Sequence, residues 1–150
     1  MLRNPSELVV HSLQRGTVPA PLPAHARIAS ACVLPVAGRA AAAAVETLPE
    51  ELSTCGVDTE AATLRLHLGV NTGSTCYHLE RCAWNEATFR QSDEAGWSPG
   101  ELCPVSSGLP LGACFKTAVP CDALAVVLRA QGFAVHVSDD PGRCDAGAAT

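Results

Sequence analysis

A chain of 150 residues with a formal net charge of −5 and a sequence pI near 5.4 is the size of one ordinary domain. It carries ten Lys and Arg and no basic cluster, which argues against nucleic acid or an anionic membrane surface as a partner. Apolar residues make up 47%, enough for a core, although much of this is alanine and large anchors are few: three Phe, two Trp and one Tyr.

The opening MLRNPSELVVHSL holds only a short apolar run and reads as no secretory leader. The longest small-apolar run, Ala40 to Val45, falls far short of the ~20 residues that a membrane span needs. Eight cysteines without a leader read as reduced thiols, and the expected location is the cytoplasm.

Asn4-Pro5-Ser6-Glu7 predicts a helix start, with Asn4 as cap, Pro5 in the first turn and Glu7 closing a capping box. The helix is expected to reach about Gln14, bury Leu8, Val9 and Leu13, and end before Gly16. Thr17 to Ala26 is a Pro-rich connector, and Ile28 to Leu34 reads as a strand. Arg39 to Leu52 is Ala-rich and helical in propensity, with a kink or new turn at Pro49. Ser53 to Thr63 reads as a loop.

Leu64 to Asn85, LRLHLGVNTGSTCYHLERCAWN, is the chemically densest stretch. Its alternation of Leu64, Leu66, Leu68 and Val70 suits a buried strand, and Gly69 to Gly73 suits a turn. If Ser74 to Trp84 is extended throughout, Cys76, His78, Glu80 and Cys82 share one face. On pattern alone, a half-exposed polar face is the favoured reading.

Asn85 to Ala118 shows no clear period and reads as a long surface excursion containing Arg90. Pro120 to Gln131 predicts a helix with Leu124, Val127 and Leu128 as its apolar stripe and Gly132 as terminator. Phe133 to Val137 reads as a strand, followed by the turn Ser138 to Arg143.

No metal site is expected. Cys76 and Cys82 would stand ~20 Å apart on one extended strand, too far to share a Zn²⁺. The other cysteines, Cys32, Cys55, Cys103, Cys114 and Cys121, show no ligand spacing. Cys32 and Cys82 are most simply core thiols, and His78 with Glu80 a polar pair at a sheet end.

The run LHLGV, a short Gly-containing loop, then HLERCAWN resembles the strand–loop–strand of the pyroglutamyl-peptidase I family, cytosolic cysteine peptidases that remove an N-terminal pyroglutamate. The match extends to the Asn-Pro-Ser helix start, to Leu34-Pro35-Val36, and to the turn ending Pro141-Gly142-Arg143. It implies an α/β fold: a three-layer α/β/α sandwich with a mainly parallel sheet, incomplete at both ends. Residues 1–143 would form the partial domain, with 144–150 as a small-residue tail.

By this resemblance His67 is the strand histidine and Glu80 the carboxylate of a Cys–His–Glu triad. Val70 and Asn71 would contact substrate, a peptide with an N-terminal pyroglutamate, and no cofactor is implied. Cys144 follows Arg143 directly, two places earlier than the family's nucleophile, and none of the five histidines follows it. Three functions compete: an active omega-peptidase, a catalytically impaired family member, and a non-catalytic interaction module. The second is preferred. Glu80 is expected at a strand end facing a cleft, near His78 and the Ser138–Arg143 turn.

Overall fold

The computed structural model describes residues 4–17, 22–44, 47, 63–71, 73–88, 91–99 and 101–141. The Pro49 kink, nearly all of the Ser53–Thr63 loop, Cys55, Arg90, Gly142, Arg143, Cys144 and the 144–150 tail lie outside them. The chain divides into two compact units, Met1–Val70 and Asn71–Thr150.

In the first unit, helix α1 spans Pro5–Gln14. The Asn4 side chain accepts from the Ser6 N–H at 3.0 Å, satisfying one of the donors that a helix start leaves open. Its exit is a Schellman turn: Thr17 N–H donates to Ser12 O at 2.9 Å and Gly16 N–H to Leu13 O at 3.1 Å. Gly16 takes φ +66°, where a side chain would be strained. Glu7 does not close the expected capping box; it turns along the helix to His11 at 3.3 Å. The expected burial of Leu8, Val9 and Leu13 is corrected, because no residue of α1 is buried. Gln14 Nε2 donates to Ala31 O at 2.8 Å, tying the helix end to the following segment.

Helix α2 is described over residues 38–44 and again at Thr47. Ala37, just before it, is buried and its carbonyl accepts from Ala41 N–H.

The strands expected at 28–34 and 64–70 are not formed. Both stretches are irregular, and Leu64 and Leu66 are 71% and 72% exposed. Alternation supplies an apolar face, but a strand also needs a partner to take its backbone N–H and C=O groups. Among the described residues neither stretch has a ladder partner. His67 is therefore exposed on irregular chain, and Cys32, expected in the core, is exposed too.

Among the described residues, the strands lie in the second unit. β1 (Tyr77–Glu80) pairs in parallel with β4 (Val135–Ser138), in the register Tyr77↔Val135 to Glu80↔Ser138. β2 (Cys82–Trp84) pairs antiparallel with β3 (Cys114–Lys116). The extended run expected over Ser74–Trp84 is thus broken at Arg81, where the chain changes partner. Arg81 N–H donates to Ser138 O at 2.8 Å, while its carbonyl accepts from Thr117 N–H at 2.9 Å. Cys76 lies before β1 and Cys82 in the other ladder, so the four-residue face is divided between two ladders.

The Asn85–Ala118 excursion is also more structured than expected. It carries β3 and an isolated bridge between Ala87 and Cys103, and it buries Asn85 and Ala87.

Helix α3 (Cys121–Ala130) packs on β4 and β1. It ends as the sequence foretells, at Gly132 with φ +90°. Phe133 N–H donates to Leu128 O at 3.1 Å and Gly132 N–H to Arg129 O at 2.9 Å, a second Schellman turn. The Phe133 ring then meets Tyr77 edge-on, with centroids 6.0 Å apart. Arg129 donates twice to Val135 O, at 2.9 and 2.7 Å, fastening the last helical turn to the start of β4. The expected stripe is corrected: α3 buries Cys121 and Ala125, while Leu124 and Val127 are exposed. Replacing Gly132 with alanine is expected to cost about 1 kcal/mol, read as a lower urea midpoint at unchanged slope.

Candidate functional site

The chemistry-bearing side chains gather at the C-terminal ends of β1 and β4. Parallel pairing sets Glu80 opposite Ser138, so the carboxylate stands beside the start of the 138–141 turn. That turn is closed locally: Asp140 N–H donates to Ser138 Oγ at 2.9 Å, and the hydroxyl donates to Asp140 O at 3.0 Å.

Glu80 Oε1 lies 3.6 Å from His78 Nδ1, because residues two apart on a strand share a face. Its other oxygen, Oε2, is buried and has no hydrogen-bond partner among the described residues. His78 Nε2 in turn lies 2.9 Å from Ser74 Oγ. The His78 ring also stands edge-on to His136, its register partner on β4, at 5.4 Å.

Just past Glu80, Arg81 holds three elements together. It donates to Asp139 beyond β4 at 3.0 Å and to Asp122 in the first turn of α3 at 3.1 Å. Asp139 first, and Asp122 second, raise the guanidinium above its usual range, so it is charged at any physiological pH. Asp139 also receives Trp84 Nε1–H on its carbonyl at 3.1 Å and the Cys82 thiol on Oδ1 at 3.5 Å. A shallow concavity is lined by Arg81, Lys116, Thr117, Val119 and Asp139.

Burial, then contacts with Cys114 and Asp139, push the Cys82 thiol up from its ordinary value. Because the fold favours the protonated form, this contribution is present below the ordinary thiol range and is lost as pH rises through the raised value. Timed iodoacetamide alkylation at about pH 8, mapped by mass spectrometry, is expected to modify exposed Cys32 and Cys114 before Cys82.

Of the residues singled out from sequence, Glu80 and His78 are brought together. Val70 is half exposed, and Asn71 Oδ1 accepts from Gly73 N–H at 3.0 Å in a tight turn. No group of three or more His, Cys, Asp or Glu suited to a metal ion occurs among the described residues. Sequence reasoning missed Ser74, whose approach to His78 depends on the bend at 73–76, and Asp139, whose three donors, Arg81, Cys82 and Trp84, lie 55–58 positions earlier.

This arrangement has the α/β fold of the pyrrolidone carboxyl, or pyroglutamyl, peptidase type. One similar structure is a mutant pyrrolidone carboxyl peptidase from the hyperthermophile Pyrococcus furiosus, with TM-score 0.66 and 23% identity over 81% of this chain and 53% of that one. Another is the pyrrolidone carboxyl peptidase of the thermophilic keratin-degrading bacterium Fervidobacterium islandicum, with TM-score 0.68 and 23% identity over 91% of this chain and 58% of that one. The chain thus spans a little over half the length of these solved peptidases. No family model and no curated protein sequence matches it.

Proposed function

We propose that the chain is a pyroglutamyl-peptidase-like protein in which Glu80 occupies the triad carboxylate position, and that the 150-residue polypeptide is catalytically impaired. The observation that carries this reading is the parallel Glu80↔Ser138 pairing within a peptidase-type fold, which stands the carboxylate beside Ser138, where β4 ends. The ligand class is a peptide with an N-terminal pyroglutamate, with Val70 and Asn71 as its contacts. The impairment is chemical. A thiol becomes a strong nucleophile when a histidine takes its proton and a carboxylate orients that histidine. Cys144 directly follows Arg143, and none of the chain's histidines lies beyond it.

The cysteines Cys32, Cys76, Cys82, Cys103, Cys114 and Cys121 are free thiols, which supports a reducing compartment, the cytoplasm. No described helix is long and apolar enough to cross a membrane.

A fluorogenic pyroglutamyl-amide assay tests the reading. The expected result is release no faster than background, with or without iodoacetamide. Thiol-sensitive turnover abolished by Cys144→Ser would overturn it.

The exposed leucines at 64 and 66 favour a second reading, a non-catalytic interaction module. Concentration-dependent association in sedimentation velocity, lost in a Leu64→Ser, Leu66→Ser double variant, would support it. A monomer at every concentration would remove association between copies as its basis.

A further inference from the structure

The bend and strand that lead to Glu80 hold a hydroxyl, an imidazole and a carboxylate in series, and the peptidase reading uses only the last. Ser74 Oγ is 2.9 Å from His78 Nε2, and His78 Nδ1 is 3.6 Å from Glu80 Oε1. This is the contact order of a serine hydrolase relay, with the nucleophile on one ring nitrogen and the carboxylate on the other.

The chain builds the series locally. Asn71 accepts from Gly73 N–H through its side chain and from Ser74 N–H through its carbonyl, closing a turn before β1. The chain then bends through 75–76, so Ser74 reaches back over the second residue of the strand. Cys76 N–H donates to Ser74 Oγ at 3.2 Å and the hydroxyl donates to Cys76 O at 3.0 Å, while His78 Nε2 stands 2.9 Å from the same oxygen. A turn-closing serine accounts for the Cys76 contacts. It does not account for the short approach to Nε2, nor for a glutamate with one oxygen on the ring and the other buried without a partner. The 3.6 Å step is within ion-pair reach, and such contacts tighten when substrate is bound.

We propose that Ser74, His78 and Glu80 form an acyl-transfer site of their own, suited to small uncharged carboxylic esters. Half-burial of Ser74 favours a short acyl group, and the Glu80 carboxylate disfavours an anionic one. In the first step Ser74 Oγ bonds to the ester carbonyl carbon and its proton passes to His78 Nε2. The carbon–oxygen bond to the alcohol then breaks, and His78 gives that proton to the leaving oxygen. In the second step water attacks the acyl-serine carbon, His78 takes the water's proton, and the bond to Oγ breaks. The proton returns to Ser74 as the carboxylic acid departs. Glu80 keeps Nδ1 protonated and offsets the imidazolium charge formed in each step.

The proposal shares Glu80 with the peptidase reading but rests on the Ser74 and His78 contacts, and its test does not measure pyroglutamate release. The whole chain is treated with an alkyl fluorophosphonate. Ser74 Oγ would displace fluoride to form an oxygen–phosphorus bond, and mass spectrometry would locate the adduct. The expected result is one equivalent on Ser74, abolished by heat denaturation and slowed ~10²-fold in His78→Gln. Hydrolysis of p-nitrophenyl acetate is expected to fall in parallel in Ser74→Ala. The mapping uses the unaltered chain, so it stands even if a variant fails to fold. No adduct, an adduct on another residue such as Tyr77, or equal labelling of native and denatured chain overturns the proposal.

Discussion

Asn85→Ala is expected to lower the unfolding free energy by about 2–4 kcal/mol, with a fall in melting temperature of several degrees. Asn85 is 4% exposed, and both ends of its amide are engaged by main chain. Nδ2 donates to the carbonyls of Ser106, Leu109 and Pro110 at 3.0, 3.0 and 3.1 Å, and Oδ1 accepts from Ser106 N–H at 2.8 Å. Its own backbone N–H donates to Ala113 O at 2.8 Å, so one residue fixes the segment from 106 to 113 and with it the approach to β3. Each bond contributes about 0.5–1.5 kcal/mol net. The loss should fall short of the full sum because Leu109 and Pro110 are exposed, and water can reach their freed carbonyls. Asn85→Asp is expected to be worse than alanine, since it sets a carboxylate against three carbonyl oxygens in a buried place. Urea denaturation of the two variants reads the order. An alanine variant within about 0.5 kcal/mol of the parent would show that the excursion is held by something else.

The difficulty of foreseeing Asn85 illustrates what sequence carries and what it does not. Helix ends are written locally: Asn4-Pro5, Gly16 and Gly132 each specify a backbone geometry within a few residues, and all three act as read. The strand expected at Phe133–Val137 appears as β4, shifted to Val135–Ser138, because the Schellman turn at Gly132 uses Phe133 before pairing begins. Ladders are non-local. Nothing within Leu64–Val70 or Ile28–Leu34 reveals whether a partner strand is at hand, so local pattern alone overstated both. The break at Arg81 was hidden for the same reason, since its N–H goes to Ser138 in one ladder and its C=O to Thr117 beside the other, both far along the chain. At the site, the shared face of His78 and Glu80 follows from spacing on one strand. The approach of Ser74 depends on a bend that no periodicity describes.

Helix α3 gives the sharpest separation between pattern and packing. Large apolar side chains at Leu124, Val127 and Leu128 suggested the buried stripe, yet Ala125 is 0% exposed and Val127 is 54% exposed. A small residue at the contact lets a helix backbone come close to the strands it covers, and α3 lies against both β4 and β1. Ala125→Asp is therefore expected to destabilise the chain by at least about 3 kcal/mol, because it places a carboxylate and extra volume at a position closed to water. Val127→Asp is expected to stay within about 0.5 kcal/mol of the parent. Aspartate's poorer helix propensity, about 0.7 kcal/mol relative to alanine, is too small to account for the first effect. Ala125→Gly supplies the control, at about 1 kcal/mol for propensity with no charge introduced. Thermal unfolding followed by circular dichroism orders the three variants. If Val127→Asp proved as damaging as Ala125→Asp, the helix would be rotated about its axis relative to this packing, with the larger side chains inward.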